Sequence, residues 1–332
     1  MKWYGIALVC FCLAGCAAGG VPAEKPASPD FASWLAGVKA EALEGGISAP
    51  VVHEALDDLQ PIPRVLELDR RQPESTMTLE QYLRNVLPES RIAEGQRLLQ
   101  VYADTLDQVE KRYDIPRELV VALWGMESSF GQKTGDFGVI PALATLAWDG
   151  RRSVYFRKEL MKALKIADEK HIPLSQMKGS WAGAMGQSQF MPSSFLAYAV
   201  DQNGDGHRDI WQTEADVFAS AANYMAKAGW KNGQFWGQEV LMPEGFSAAH
   251  ITLDEKKTLD EWSALGVRDL QGQPLQGHIK ASLVAPDGLK GRTFLVEGNY
   301  RAIMAWNRST YFATAVGLLS DRLSDRHEGD NQ

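Results

Sequence analysis

Cysteine is nearly absent. The 332-residue chain has three, Cys10, Cys12 and Cys16, and none follows. Beyond that point disulfide stapling, a cysteine nucleophile and Cys-ligated zinc are excluded. A basic excess is missing as well: 34 Lys and Arg stand against 42 Asp and Glu, a net charge of -8. With no basic stripe to meet phosphates, nucleic acid is not an expected partner. Metal-spaced histidines are also lacking, since His53, His171, His250, His278 and His327 are scattered. What is plentiful is apolar residues, 45% of the chain. That is enough for a full core, in one large domain or two closely packed ones.

The first residues stand apart. Lys2 precedes an apolar run, Trp3 to Ala14, of signal-peptide length and too short to span a bilayer. It ends in Leu13-Ala14-Gly15-Cys16, similar to a bacterial lipobox. The expectation is a signal segment over 1–16, with Cys16 as the lipidated first residue of the mature chain and a flexible tether over 17–30. The alternative is an ordinary secretory signal with a chance cysteine. Ala17 is not the aspartate that retains many lipoproteins in the inner membrane, so the outer membrane, facing the periplasm, is the expected location.

From Phe31 the periodicity is helical, and a mainly α fold is expected over 31–323. Helices are read from Phe31 to Glu44, Ser48 to Leu59, Leu79 to Val86, Ser90 to Tyr113 and Arg117 to Glu127. Others are read over Val154 to Glu169, Pro192 to Val200, Thr213 to Ala228 and Ala302 to Leu323. Gln60 to Pro73 reads as a connection. Thr213 and Asp216 suit a capping box. Residues 238–297 are loop-rich, with strands expected at His278 to Ala285 and Thr293 to Val296. The tail 324–332 is polar.

Three places could carry chemistry. Glu127 ends a helix that is apolar nearly all round, Leu119 to Met126, and such a helix is buried. Burial raises a carboxyl's pKa, which a general acid working near neutrality requires. Its bland alternative is a helix-end glutamate that reaches solvent or bonds the following Ser-Ser backbone. The second place is Gly179 to Ser193, where Ser180, Gln187 and Gln189 lie among glycines beside Trp181 and Phe190. Neutral hydrogen bonders beside flat apolar faces suit a sugar; a tight turn between helices is the alternative. The third is Asp201-Gln202-Asn203-Gly204-Asp205-Gly206-His207-Arg208-Asp209. Oxygen donors at alternate positions with a glycine at the turn suit Ca²⁺, but Gln212 stands where an EF-hand has glutamate. A metal-free Asp/Asn/Gly turn is the alternative.

Met126-Glu127-Ser128-Ser129-Phe130-Gly131 followed by Gly183-Ala184-Met185-Gly186-Gln187-Ser188-Gln189-Phe190-Met191-Pro192-Ser193 resembles the lytic murein transglycosylase B family. Ala222-Asn223-Tyr224 and Trp306-Asn307-Arg308-Ser309-Thr310-Tyr311 continue the likeness in order. The resemblance implies a lysozyme-like helical core with a small β-containing part. It implies cleavage of peptidoglycan glycan strands to a 1,6-anhydro end, with Glu127 as single acid/base and no cofactor for the chemistry. Carried over, the glycan-contacting positions are Tyr82, Arg151, Ser180, Gln189, Tyr224 and Trp306. Trp306 stands where many members have tyrosine, which keeps an aromatic face and loses a hydroxyl. The structural Ca²⁺ would take Asp201, Asn203, Asp205, the His207 carbonyl and Asp216. A monomer, anchored to the membrane through its lipid, is the expected state. Two other readings stay open: a hydrolytic muramidase, with Asp136 or Asp149 as second carboxylate, and a catalytically silent peptidoglycan-binding lipoprotein.

Overall fold

A computed structural model describes residues 30–71, 77–149 and 152–324. Cys16 with the signal segment, the tether before Asp30, Arg151 and the tail from 325 lie outside the described residues. The described chain groups into two compact units, residues 30–71 with 127–221 and residues 77–126 with 222–324.

In chain order the first helices are α1 (Phe31–Glu44), α2 (Ala49–Leu56) and α3 (Pro63–Arg70). The last corrects the expectation of a bare connection over Gln60 to Pro73. Pro63 opens α3, where its missing N–H costs nothing. Val65 is buried, and so is Asp69, whose carboxylate accepts from Arg152 at 2.8 Å. Next come α4 (Leu79–Val86), α5 (Glu89–Val101), α6 (Ala103–Tyr113) and α7 (Arg117–Ser128). The single helix expected over Ser90 to Tyr113 breaks at Tyr102, at φ -104° and ψ 20°. The Tyr102 ring packs edge-on to Trp124, 5.8 Å between centroids. In α7, Leu119 to Leu123 are fully buried, as the all-round apolar pattern predicts.

The rest of the first unit is β1 (Phe137–Gly138), α8 (Val139–Asp149), α9 (Ser153–Asp168), β2 (Lys178–Gly179), α10 (Pro192–Tyr198) and the start of α11 (Glu214–Lys227). Helix α8 is buried from Val139 to Ala147 apart from Pro141. Its alanines admit α9, which presents Leu160, Ala163 and Leu164 fully buried. Truncating such a leucine to alanine costs about 2–5 kcal/mol. Glu159 of α9 is also buried. It accepts from the Ser193 amide at 2.8 Å and from Lys162 at 3.1 Å, so α9 holds the N-terminus of α10.

The second unit continues with β3 (Gly237–Val240), β4 (Lys257–Thr258), α12 (Leu259–Ala264), β5 (Lys280–Val284), β6 (Thr293–Val296), α13 (Gly298–Trp306) and α14 (Thr310–Leu323). The helix expected over Ala302 to Leu323 is therefore two, broken where Asn307 turns extended and Ser309 caps α14. The strands form an antiparallel sheet in the order β3-β6-β5-β4, with Gly237 opposite Val296 and Val240 opposite Thr293. One face buries a core of its own, centred on Trp262 with Val240, Val267, Leu283 and Leu295. The Trp262 indole N–H is satisfied by the Ala281 carbonyl at 2.9 Å. Helix dominates with β structure confined to short strands, in accord with the mainly α expectation.

Candidate active site

Glu127 lies in the last turn of α7 and is half-buried. The chain then leaves the helix through Ser129, Phe130 and Gly131, at φ of 50°, 59° and 78°. Left-handed backbone is unfavourable for residues with a Cβ, by about 1–3 kcal/mol each. Ser129, Phe130 and Gln189 are three of the five non-glycine residues in that region among the described residues. The strain thus gathers at the two segments singled out from sequence. The turn is held by the buried Ser128, whose Oγ accepts from the Gly131 amide at 3.0 Å and whose carbonyl accepts from Lys133 at 2.8 Å.

The second segment folds against this turn. β1 pairs with β2, setting Phe137 opposite Gly179. Beyond β2 the chain doubles back: the Ser180 amide donates to Ala184 O at 2.8 Å, and Met185 and Phe190 exchange backbone bonds at 2.8 and 3.1 Å. The reversal is tight enough that a Cβ on Gly179 would overlap the Ala184 carbonyl. The Ser180 Oγ accepts from the Ala184 amide at 3.1 Å, leaving its own proton to donate. Gln189 Nε2 donates to Thr134 O at 2.9 Å and to Gly186 O at 2.8 Å. With its amide nitrogen so engaged, the group Gln189 can present to a ligand is its carbonyl oxygen. Gln187 is buried and was noted in sequence only as a polar residue of the cluster. Its amide donates to Ile210 O at 2.8 Å and its Nε2 to Trp211 O at 3.0 Å.

Tyr82, Tyr224 and Trp306 belong to the other unit. Tyr224 and Trp306 are in ring contact, 4.7 Å between centroids at 56°, and the Tyr224 hydroxyl donates to Ala305 O at 2.6 Å. Tyr82 stands edge-on to Tyr311 at 5.6 Å. Sequence reasoning named Tyr311 only inside a motif and missed its partner Asp287, which no local signal marks. Of the two carboxylates weighed as partners for Glu127, Asp149 is bonded to Arg70 at 2.7 Å and Asp136 is exposed.

The acidic loop wraps on itself. Asp201 accepts from the amides of Gly204 (2.6 Å) and Gly206 (2.8 Å), and Asn203 Oδ1 from Asp205 (3.1 Å). Gly204 and Gly206 take left-handed φ of 77° and 89°. Asp216 is fully buried, and its two oxygens accept the amides of Gln202 and Asp209, each at 2.8 Å. Its side chain therefore serves the loop, a correction to the capping box read with Thr213. Burial raises the Asp216 pKa, against those two bonds and with the charges of Asp201 and Asp205 adding to the rise. Asn203 and the His207 amide hold Asp205 low. Among the described residues no group of three or more His, Cys, Asp or Glu is drawn into metal-ligand geometry. The donor set nonetheless fits a hard cation: all-oxygen, with a buried carboxylate facing two like charges.

Residues 30–321 match the transglycosylase SLT domain family. Membrane-bound lytic murein transglycosylase B of Escherichia coli (strain K12) is 35% identical over 251 residues, 73% of this chain and 66% of that protein, so the chain spans just under two thirds of its length. The crystal structure of SltB3 from Pseudomonas aeruginosa in complex with NAG-anhNAM-pentapeptide superposes with a TM-score of 0.85 at 44% identity, covering 89% of this chain and 80% of that one. Escherichia coli lytic transglycosylase Slt35 in complex with calcium superposes with a TM-score of 0.75 at 29% identity, covering 89% and 93%. With its lysozyme-like fold, the chain belongs to the transglycosylase SLT domain family.

Proposed function

We propose that this enzyme is a lytic transglycosylase that cleaves the β-1,4 bond between N-acetylmuramic acid and N-acetylglucosamine in peptidoglycan, with Glu127 as its one acid/base. The observation that carries the reading is the placement of Glu127: the end of a buried helix, before a strained turn against which Gln189 is anchored. The carboxylic acid protonates the glycosidic oxygen as the C1–O bond breaks, and the muramic N-acetyl oxygen covers C1. The carboxylate then takes the proton of the C6 hydroxyl as that oxygen closes on C1. The products are a free 4-hydroxyl and a 1,6-anhydro end, and no water is consumed.

Ser180, Gln189 and Arg151, together with Tyr82, Tyr224 and Trp306, are the glycan-binding residues of this reading. The complex of the Pseudomonas relative with NAG-anhNAM-pentapeptide supports the product chemistry. Asp201, Asn203, Asp205, the His207 carbonyl and Asp216 would hold a structural Ca²⁺, a reading supported by the calcium complex of Slt35. Bound there, the ion supplies charge neutralisation and no step of the reaction. Among the described residues no helix is long and apolar enough to cross a membrane. In this reading the protein is attached through lipid on Cys16, at the periplasmic face of the outer membrane; the membrane-bound character of the Escherichia coli relative supports membrane attachment. The chain acts as a monomer in this scheme. Mass spectrometry of fragments released from purified sacculi tests the reading: 1,6-anhydro ends are expected, and reducing muramic ends would establish a hydrolase instead.

A further inference from the structure

We propose that Gln187 is a positioning residue for Glu127, tying the turn that follows the carboxylate to the chain leaving the acidic loop. The proposal rests on the reading of Glu127 as the catalytic group. Gln187 is buried and is gripped at two points. Its backbone amide donates to Ile210 O at 2.8 Å, and its side-chain Nε2 donates to the next carbonyl, Trp211 O, at 3.0 Å. Two consecutive carbonyls thus fix both its backbone and the roll of its amide plane. Its Oε1 is thereby aimed at the turn after α7, so close that a Cβ on Gly131 would overlap it. Gly131 sits at φ 78°, a conformation and a clearance that together call for glycine.

The Ile210–Trp211 segment is itself anchored. A Cβ on Gly186 would fall 2.5 Å from Ile210 O, so the two backbones are in direct contact. The Trp211 indole N–H donates to Lys178 O at 2.8 Å, at β2. Asp209 accepts from the Trp211 and Gln212 amides at 2.8 and 3.0 Å. The acidic loop, through these residues, sets where the Ile210 and Trp211 carbonyls stand. Those carbonyls set Gln187, and Gln187 bounds the turn that follows Glu127. A space-filling role would be met by any side chain of that length. A positioning role needs the amide, because only a donor facing Trp211 O fixes the direction of Oε1.

The test compares Gln187→Met, which keeps the length without the hydrogen bonds, with Gln187→Ala and Glu127→Gln, each in the full chain. Steady-state kinetics on soluble uncross-linked glycan strands and thermal unfolding are measured for all three. For both Gln187 variants kcat is expected to fall about ten- to a hundredfold, with KM changed by no more than about twofold, because misplacement of a reacting group by around 1 Å carries a cost of that order. Wild-type kcat in Gln187→Met would reduce the residue to filler and overturn the proposal. So would a loss confined to KM, or failure of both variants to fold, which would place Gln187 in the folding core alone. An inactive Glu127→Gln beside fully active Gln187 variants removes the positioning role and leaves the catalytic reading standing. An active Glu127→Gln removes that reading itself.

Discussion

The hydroxyl of Tyr311 donates to the carboxylate of Asp287. The other Asp287 oxygen accepts the amide of Leu79 at 2.8 Å, one of the donors that the start of α4 leaves without a helical partner. Burial, and after it the hydrogen bond to Asp287 and the charge of that carboxylate, push the Tyr311 phenol to about 12, so it remains a donor across any working pH. Since Tyr311 packs on Tyr82, one carboxylate holds both the helix that carries Tyr82 and the ring beside it. Asp287→Ala should destabilise the protein by about 1.5–3 kcal/mol, the range for hydrogen bonds to a charged group. It should also raise KM for glycan with kcat little changed. Urea unfolding and steady-state kinetics check the two halves separately, and Asp287→Asn should recover part of each.

Glu127→Gln should abolish turnover, by at least about a hundredfold, while circular dichroism and glycan binding stay as in the wild type. The amide matches the carboxyl in shape and cannot deliver a proton to the leaving oxygen. Substantial turnover by the folded variant would remove Glu127 from the mechanism.

Calcium should raise the melting temperature and chelator lower it. A ligand bound only by the folded state stabilises it by about 2.7 kcal/mol at a hundredfold excess over Kd. Asp201→Ala and Asp205→Ala should each abolish the shift. Coincident melting curves with Ca²⁺, Mg²⁺ and chelator, starting from metal-free protein, would mean that the loop is a turn that binds no ion.

Glu297, at the N-terminus of α13, has its pKa raised by burial. The folded state therefore holds that proton more tightly than the unfolded chain. The stabilisation this gives is complete below the unfolded pKa and disappears as pH rises through the folded one. At neutral pH the ionised side chain is a liability. Glu297→Gln should then melt higher than the wild type near pH 7, with the difference closing toward pH 4 as the wild-type carboxyl becomes neutral. A difference independent of pH would refute the assignment to ionisation.

Cys16→Ala should shift the protein from the membrane pellet to the soluble periplasmic fraction, because acyl chains supply the anchoring free energy. Wild-type protein recovered as soluble would contradict lipidation.

The α7 helix and its terminal glutamate were legible because burial on all sides writes itself as an unbroken apolar run, Leu119 to Met126. The break at Tyr102 was not, since both flanks keep helical periodicity and the interruption involves a ring contact with Trp124, distant in sequence. Helix α3 was hidden by its proline and arginines; its buried Asp69 pairs with Arg152, 83 residues on. In the site, Ser180 and Gln189 could be named from motif. The role of Gln187 could not, because it is defined by two carbonyls more than twenty residues away. Asp287 left no trace at all: an aspartate in a Pro-Asp-Gly turn is the commonest of surface residues, and its partners at 79 and 311 lie far off in sequence.

Strands β3 and β6 bring Gly237 directly opposite Val296, so the chain enters and leaves this segment at neighbouring backbone positions, about 5 Å apart in an antiparallel pair. Everything between them carries its own core around Trp262. Such a segment has the construction of a cassette. A short turn joining the two strand ends would close the gap with little loop entropy, and the cost of exchanging the segment would fall on the contacts it makes outside itself, such as that of Phe294 with Trp236. Asp287, at the tip of the β5–β6 connection, is where the cassette reports back to the helices that bear Tyr82 and Tyr311.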